Sequence, residues 1–371
     1  WEKMKEKTLP PKDEYYSQLN GKEISEENYK FAHNVWNSFK LKNLGELHDL
    51  YMGGDVNLLA DVFEAFREFN LKHYKLDPAH FLTAPSLSWS ACLKYTAVKL
   101  ELSTDPDMNI FFDQGLIGGI SLIGNQYAKA NHPGLGEKFD KNNPLSYIFM
   151  VDCNNQYGWA MSQYLPTGGF KWMDEEKTVG EWESFIKSQE NEQDKGYYLK
   201  VDLEYPSNLH DSHGTFPCAP KHMKIEKEFL SDYQKELGDE LGVKYGGEKL
   251  CLTLQDKTEY VLHYRNLKQY LDLGLKLKEV HKVLEFDQSP WLKPYIDLNT
   301  NLRRQATCKF DEDQAKLMNN SYFCKTCEDV RKYTEVKICV NKEEIEKLSK
   351  KERMDGWKIY HENLAAVLMK R

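Results

Sequence analysis

A short apolar run constrains the fold of this 371-residue chain more than any other segment. The run is Tyr147-Ile148-Phe149-Met150-Val151, which follows Pro144 and ends at the polar residues 152–155. An unbroken apolar run of this length, bounded by turn-forming residues, is typical of a strand that is covered on both faces. We therefore expect a central strand of a buried sheet, with the carboxylate of Asp152 at its carboxyl end.

Other segments predict further strands and several helices, and hence a mixed α/β fold. Apolar residues at 199, 201, 203 and 205 alternate with charged residues, as in a half-exposed strand. The runs 249–254 and 259–262 flank Asp256-Lys257 and predict a hairpin. Apolar residues at helical spacing predict helices over 26–38 with Ser25 as N-cap, 51–74, 87–102, 264–273 and 302–323.

Two groups of glycines predict irregular backbone. The pair Gly53-Gly54 favours a turn over a helix. Gly115, Gly118 and Gly119 lie among apolar residues and indicate an extended backbone that is tight or closely approached by other atoms. We expect this second group to join two domains.

Composition excludes several classes of protein. With 40% hydrophobic and 29% charged residues, the chain is neither disordered nor collagen-like, and its eight scattered cysteines indicate reduced thiols. The mean hydropathy is −0.70, and no apolar run approaches the ~20 residues of a membrane helix. The first residues lack the pattern of a signal peptide. We expect a soluble intracellular protein with no membrane partner and, because it begins at tryptophan, a piece of a longer chain.

The charge balance limits nucleic-acid binding to a local site. Fifty basic residues face 58 acidic ones, a net charge of −8 that repels a polyanion overall. Segment 259–310 has the opposite balance, with nine Lys or Arg against six Asp or Glu. Any contact with nucleic acid must therefore depend on local groups of basic residues.

Asp152 is the first candidate for chemistry. A carboxylate at the end of a buried strand can hold Mg²⁺ with the open positions that phosphoryl transfer needs. Tyr157 follows five residues later, and a path from strand through turn to helix would bring its ring over the same pocket. The structural alternatives are a turn-forming aspartate and a core tyrosine.

A second candidate is one face of the helix predicted over 302–323. Lys316, Asn320 and Phe323 fall at i, i+4 and i+7, so one face carries an ammonium, an amide and an aromatic ring. Such a face suits a nucleoside triphosphate and a base pair. Arg304 lies twelve residues before Lys316, about 120° round the axis, so only its long side chain would reach the same ligand. The alternative is a solvated helix face.

These two sets of residues resemble a known family. Asp152-x-x-Asn155-x-Tyr157 and Lys316-x-x-x-Asn320-Ser321-x-Phe323 look like motifs A and B of family B DNA polymerases, in the order and separation of the protein-primed subgroup. Segments 147–161, 165–172 and 284–300 are similar to polymerases of virus-like self-synthesising transposons and related linear elements.

The resemblance implies a domain order. The implied parts are the end of a 3′ to 5′ exonuclease-like domain (1–75), a linker and palm with motif A (76–164), a palm extension with a protein-primer insertion (165–292), fingers with motif B (293–327), and the start of a second insertion with a return to the palm (328–371).

The resemblance also implies roles for the polymerase residues. Asp152 would bind the two catalytic Mg²⁺ ions, and Tyr157 would be the steric gate that excludes a 2′-hydroxyl. Lys316 and Arg304 would bind the incoming triphosphate. Asn320 and Phe323 would line the pocket of the nascent base pair.

Two further matches concern the exonuclease domain and its junction with the polymerase. Tyr51-Met52-Gly53-Gly54-Asp55 resembles the third exonuclease motif, in which Tyr51 would orient water and Asp55 would hold metal. Gly118 and Gly119 stand where the family has a Tyr-x-Gly-Gly loop between the two domains, and only the glycines match.

The chain also departs from the family. Cys324 replaces the glycine that usually ends motif B, and Cys324-x-x-Cys327 lacks the second pair that a zinc site needs. The Asp-Thr-Asp turn of the third polymerase motif does not follow motif B, and the first two exonuclease motifs are absent. Because two-metal transfer needs at least two convergent carboxylates, the sequence describes the middle of a polymerase.

The predicted function is therefore template-directed DNA synthesis by two-metal phosphoryl transfer, with Mg²⁺, primer-template DNA, deoxynucleoside triphosphates and a terminal protein primer as cofactor and partners. The alternative is a catalytically inactive, truncated relic of a transposon or virus, or a DNA-binding module. A third interpretation, a nuclease that uses Asp55 and Asp61, is weaker because the two lie about 240° apart around a helix.

Overall fold

The computed structural model of the chain describes residues 2–125, 127–243, 246–329 and 333–370. Within these ranges the α-helices are α1 (Glu26–Ser38), α2 (Leu44–Tyr74), α3 (Ala84–Thr96), α4 (Pro106–Gln114), α5 (Gln156–Met161), α6 (Val179–Ser188), α7 (His210–His213), α8 (Asp232–Glu240), α9 (Tyr264–Asp272), α10 (Lys293–Gln305), α11 (Lys309–Thr326) and α12 (Lys342–Ser349). The strands there are β1 (Leu165–Trp172), β2 (Lys195–Glu204), β3 (Lys221–Lys224), β4 (Glu248–Cys251), β5 (Lys257–His263), β6 (Lys276–Ser289), β7 (Thr334–Cys339), β8 (Met354–His361) and β9 (Leu364–Lys370). The predicted mixed α/β class is confirmed.

Contacts divide the chain into two compact units. We call residues 1–91 with 306–325 the helical unit, and residues 92–305 with 326–371 the sheet unit. The domain boundaries expected after residues 75, 164, 292 and 327 stay predictions. Among the described residues, none of the helices combines the length and the hydropathy needed to cross a lipid bilayer.

The helical unit is held together by contacts of α11 with the start of α3. The ring of Trp89 stacks on Tyr322, with centroids 5.3 Å apart and planes 14° apart. Ser88 Oγ donates to the carbonyl oxygen of Met318 at 2.6 Å. The predicted cap of α1 is confirmed, because Ser25 Oγ accepts from the backbone N–H of Asn28 at 3.1 Å. The helix expected to reach residue 102 ends at Thr96.

The turn predicted at Gly53-Gly54 is wrong, because both residues lie inside the continuous helix α2. The helix extends from Leu44 to Tyr74, with Asn43 as its N-cap. A side chain at either glycine would meet no atom within 4 Å. Each glycine disfavours the helix by about 1 kcal/mol relative to alanine, but the helical residues on both sides outweigh this cost.

The sheet unit is built on an antiparallel sheet in the order β1-β6-β2-β5. The predicted alternation in β2 is confirmed: Leu199, Val201 and Leu203 are buried, whereas Lys200 and Asp202 are only half-buried. The buried set forms one face, which we call the inner face, and it packs against α6 and α9. This burial of apolar side chains is the main source of the unit's stability.

The opposite, outer face of the sheet is covered over part of its area. Phe111 of α4 packs there with Val261 and Leu284, and its ring meets the edge of Trp172 at 5.1 Å. Beyond α4 the outer face carries charged side chains of β2 and β6. This half of the outer face is open and charged.

The hairpin predicted over 249–262 is wrong. Strand β4 pairs with β3, whose residues lie 24 to 30 positions before their partners, and β5 pairs with β2 in the main sheet. The two runs are therefore strands, but of different sheets. A third sheet, in the order β7-β9-β8, packs on α12 through Cys339, Val367 and Met369.

Candidate functional site

The strand predicted at residues 147–151 is wrong. No strand of the described ranges pairs with this run, and its side chains are 54% to 100% exposed. Only Ser146, just before it, forms an isolated bridge, to Asn131. The run has the composition of a strand, but a strand also requires a partner, and sequence periodicity does not report one. Asp152 consequently lies exposed in a loop and not at the end of a buried strand.

The turn and helix expected after Asp152 are present. Asn155 has a left-handed backbone (φ 54°) and precedes α5, and its carbonyl oxygen accepts from Trp159 N at 2.9 Å. A Cβ on the buried Gly158 would overlap the side chain of Asn155. Tyr157 lies in the first turn of α5 with 53% of its surface exposed, so its ring is accessible to a ligand.

A cavity of 470 Å³ lies between α10 and the segment formed by this turn and α5. Asn154, Asn155 and Trp159 line one side, and Lys293 and Thr300 of α10 line the other. Lys293 Nζ is paired with the carboxylate of Asp297 at 2.6 Å, so these two charges on the α10 side of the cavity offset each other. The cavity is therefore polar, open to small ligands, and adjacent to the loop of Asp152.

Arg304 continues the row of α10 residues that lines this cavity. Lys293, Asp297, Thr300 and Arg304 are spaced i, i+4, i+7 and i+11, and Arg304 is exposed one turn beyond Thr300. The sequence thus assigned Arg304 to a helix, but to the wrong one.

The single helix predicted over 302–323 is wrong, because the chain breaks between α10 and α11 at residues 306–308. Thr307 and Cys308 have low intrinsic helix propensity, although too little to predict a break with confidence from the sequence. Arg304 and Lys316 therefore do not share a helix axis, and they belong to different units.

Helix α11 presents the expected face to solvent. Lys316 and Asn320 are exposed and Phe323 is half-buried, whereas Met318 and Tyr322 on the other side are buried. The three candidate side chains thus lie along one accessible row of the helical unit.

The two residues of the exonuclease-like match are one turn apart on α2. Tyr51 and Asp55 are both exposed, as is Asp61 further along the helix. None of the three belongs to a group of three potential metal ligands among the described residues. Within the described residues, Asp55 is thus not part of a metal-binding group.

The close approach expected at Gly118 and Gly119 is wrong. A Cβ on either glycine would meet no atom within 4 Å, and neither has a left-handed backbone. Gly115 is different, because a Cβ there would lie 2.9 Å from Cε1 of Tyr198. Only this first glycine is therefore required by packing.

A second cavity, of 750 Å³, was not indicated by the sequence. It lies on the other side of α5 and is lined by Tyr164, His263 and Arg265, among others. Arg265 Nη1 approaches Oε1 of Gln163 at 3.4 Å, and Gln163 lines both cavities. Burial, with a smaller effect of the Arg265 charge, lowers the pKa of His263 to about 4, so its imidazole is neutral at pH 7.

The residues around Asp152 do not complete a site for two Mg²⁺ ions. Asp152 belongs to no group of three potential metal ligands in the described part of the chain. One such group does occur there, and it consists of Asp202, Glu279 and His281 on the outer face of the main sheet. Two ions need carboxylates that converge from separate elements. Asp152 alone does not provide such a site.

Comparison with known proteins gives a partial similarity of fold. No protein-family model and no curated protein sequence matches this chain. Among solved structures it is similar to an orthorhombic crystal form of phi29 DNA polymerase, with 13% identity and a TM-score of 0.42 over 80% of this chain and 43% of that one. It is also similar to phi29 DNA polymerase complexed with primer-template DNA and incoming nucleotide substrates, with 15% identity and a TM-score of 0.39 over 78% of this chain and 41% of that one. The chain spans less than half the length of the polymerase chains that it matches.

Proposed function

We propose that this chain is the part of a protein-primed, family B type DNA polymerase that binds the incoming nucleotide and the primer-template. The observation that carries the proposal is the accessible row Lys316, Asn320 and Phe323 on α11. An ammonium suits a triphosphate, and a half-buried aromatic ring with one accessible side suits the flat surface of a base pair. A helix face that only interacts with water would not need an aromatic ring in the same row as the lysine and the asparagine.

Two residues of the sheet unit are proposed for nucleotide contacts on the resemblance to the polymerase motifs. Tyr157, accessible on α5, is proposed as the residue that packs against the sugar and disfavours a 2′-hydroxyl. Arg304, on the α10 row that lines the 470 Å³ cavity, is proposed to bind phosphate oxygens. Arginine is suited to this role because its guanidinium donates hydrogen bonds in a planar fork.

Asp152 is proposed as one Mg²⁺ ligand of the polymerase. Mg²⁺, when bound with a complete set of carboxylates, would activate the primer hydroxyl and stabilise the charge on the reacting phosphate. Among the described residues, Asp152 belongs to no group of three potential metal ligands. The assignment for this chain is therefore recognition of primer-template DNA and deoxynucleoside triphosphate, with a terminal protein as the first primer.

The remaining matches are proposals of the same kind. Tyr51 and Asp55 would belong to an exonuclease-like domain, in which Asp55 would contribute one metal ligand. Gly118 and Gly119 would lie in the segment between that domain and the polymerase. Their open surroundings fit a connecting segment better than a packed one.

The experiment that tests the proposal is the selection of a nucleotide by the template base, without turnover. The chain is mixed with a primer-template whose primer ends in a dideoxynucleotide, and the affinity of each deoxynucleoside triphosphate is measured. Four primer-templates differ only in the first unpaired template base. We expect the complementary nucleotide to bind more tightly than the other three in each case. Equal affinities for all four, with every template, would contradict the proposal.

A second candidate function is DNA binding without nucleotide selection. It is favoured because Asp152 is exposed in a loop and belongs to no group of three potential metal ligands in the described ranges. A DNA-binding module would bind the same primer-templates but show no dependence on the template base. Primer extension with Mg²⁺ then separates a complete enzyme from either binding protein. Incorporation that disappears in Asp152→Asn would show that a second carboxylate does reach Asp152.

A further inference from the structure

Asp202, Glu279 and His281 lie together on the open half of the outer face of the main sheet. Asp202 of β2 is paired with Glu279 of β6 in the strand register, so their side chains point to the same face. One ligand atom from each of the three residues lies within 4.8 Å of the other two. The cluster thus combines two carboxylates and one imidazole, and it is remote in sequence from every residue of the proposed nucleotide site.

A β-bulge brings His281 into this cluster. Val201 is paired with Val280 and Lys200 with Lys282, so His281 is the extra residue of β6 at this point. In a regular strand His281 and Lys282 would point to opposite faces, but the bulge lets both lie on the outer face. His281 Nε2 lies 2.8 Å from Asp202 Oδ1, and its Nδ1 lies 3.7 Å from Glu279 Oε1. Bulges commonly re-aim a side chain in this way next to functional sites.

Two hydrogen bonds hold the carboxylate of Asp202 in place. Its Oδ1 accepts from the backbone N–H of Glu259 at 2.7 Å as well as from His281. Supporting hydrogen bonds of this kind orient metal ligands in proteins.

The lysines around the cluster are engaged elsewhere. Lys200 pairs with Glu259 at 3.3 Å, Lys278 pairs with Glu204 at 3.0 Å, and Lys282 lies over the ring of Trp172 at 5.0 Å. Among the described residues, no lysine or arginine forms an ion pair with Asp202 or with Glu279. The charge of Lys221 also acts on Asp202, but its Nζ donates to the carbonyl oxygen of Thr258 at 3.0 Å. The two carboxylates thus have no ion-paired lysine or arginine in the described part of the chain, and a bound cation would offset their charge.

The spacing of the ligand atoms suits a metal ion. Two metal–ligand bonds of about 2.1 Å that meet at the ion at about 90° to 110° place their ligand atoms about 2.9 to 3.4 Å apart. The contact of His281 Nε2 with Asp202 Oδ1, at 2.8 Å, needs to open by only a few tenths of an ångström. Glu279 lies nearest the other ring nitrogen, Nδ1, so its exposed side chain must swing towards the nitrogen that binds the ion, within a cluster whose ligand atoms lie within 4.8 Å of one another. Because an imidazole with two carboxylates suits Zn²⁺, whereas Mg²⁺ and Ca²⁺ prefer oxygen alone, the donor set selects a transition metal.

We propose that Asp202, Glu279 and His281 form a Zn²⁺ site on the outer face of the main sheet, with water in the remaining coordination positions. The site is independent of the proposed nucleotide-binding function. Its metal is bound through a histidine and ties β2 to β6, whereas the metal expected at Asp152 is Mg²⁺. A zinc ion here would stabilise the sheet unit, because the folded state alone brings the three ligands together.

The test is a calorimetric titration of the full chain with Zn²⁺ in the presence of excess Mg²⁺. Eight free cysteines are a competing source of zinc ligands, and Cys324 and Cys327 are both exposed. The titration is therefore made on Cys324→Ser, Cys327→Ser protein. We expect the chain to bind one Zn²⁺. In the variant His281→Gln the zinc affinity should fall by more than the roughly 10-fold to 100-fold seen when supporting groups of a metal site are removed.

Two further variants keep the test decisive. Glu279→Gln changes an exposed residue to one of nearly the same shape and should also weaken binding. His222→Gln, at an exposed position of β3 in the two-stranded sheet, should leave the affinity unchanged. Absence of the one-to-one binding event, or equal zinc affinity in the parent protein, His281→Gln and Glu279→Gln, would overturn the proposal and leave an ordinary hydrogen-bonded cluster. Loss of template-selected nucleotide binding would have no bearing on this result.

Discussion

The rings of Trp89 and Tyr322 stack with their centroids 5.3 Å apart, and this contact fixes which side of α11 is buried. Tyr322 is buried and directly precedes Phe323 in the helix. Because successive helical residues are 100° apart, burial of Tyr322 turns the row of Lys316, Asn320 and Phe323 towards solvent. The orientation of the proposed nucleotide-binding face thus follows from a packing contact on the opposite side of the helix.

Truncating this contact should destabilise the helical unit and weaken nucleotide binding together. We expect Tyr322→Ala to lower the free energy of unfolding by about 3 kcal/mol, the cost of emptying a large buried aromatic site. Tyr322→Phe keeps the ring and should cost much less. Chemical denaturation followed by circular dichroism measures the free energy of unfolding of both variants. Equal stability of the alanine and phenylalanine variants would contradict the assigned role of the stack.

Replacing the glycines inside α2 should stabilise the protein. Gly53→Ala and Gly54→Ala add a methyl group where no atom lies within 4 Å, and alanine favours the helix by about 0.5 to 1 kcal/mol per site. Gly115→Ala is the matched control, because its Cβ would crowd Tyr198 and should lower stability. Thermal or chemical unfolding of the three variants checks the prediction. A loss of stability at residue 53 or 54 would show that the helix is broken there.

The imidazole of His263 should make stability depend on pH. The unfolded chain takes up this proton near pH 6.5, whereas burial lowers the pKa in the folded chain to about 4. Between these values the unfolded state binds more protons, so the free energy of unfolding falls as the pH is lowered through this window, by an amount on the order of 2 kcal/mol. His263→Asn can still accept from Arg265 N as the helix cap but does not titrate. Its stability should therefore fall less between pH 6.5 and pH 4, and an unchanged pH profile would contradict the account.

The selection of deoxynucleotides should depend on Tyr157. We expect Tyr157→Val to raise the affinity for the complementary ribonucleoside triphosphate relative to the deoxynucleotide, because a smaller side chain leaves room for a 2′-hydroxyl. Trp159→Val, on the same short helix, is the control for a general loss of packing. The ratio of the two affinities is the measured quantity, in the presence of chain-terminated primer-template. A ratio that changes equally in both variants would remove the proposed role of Tyr157.

Local features of the fold could be predicted from the sequence. The cap at Ser25 and the alternation at Leu199, Val201 and Leu203 depend on neighbours a few residues away, and both are confirmed. The accessible row on α11 also follows from spacing alone, because its three residues lie within two turns of one helix.

Features that depend on distant partners could not be predicted. The run at 147–151 has the composition of a strand but pairs with none in the described ranges, and the runs at 249–254 and 259–262 pair with strands far away instead of with each other. The cluster around His281 was missed for the same reason, because it requires both the register of β2 with β6 and a bulge. Neither is encoded in the spacing of residues along one strand.

The most direct test of the account measures nucleotide affinity when the charge of Lys316 is removed. The complementary deoxynucleoside triphosphate is titrated into complexes of chain-terminated primer-template with the parent chain, Lys316→Gln and Lys309→Gln. Lys309 lies on the same helix but already pairs with Glu312 and Asp313, at 3.1 Å each, which makes it the matched control. We expect about a tenfold or larger loss of affinity for Lys316→Gln, since charge-assisted hydrogen bonds contribute about 1.5 to 3 kcal/mol, and little change for Lys309→Gln. Equal affinities for the parent chain and Lys316→Gln would contradict the proposal that this face of α11 binds the incoming nucleotide.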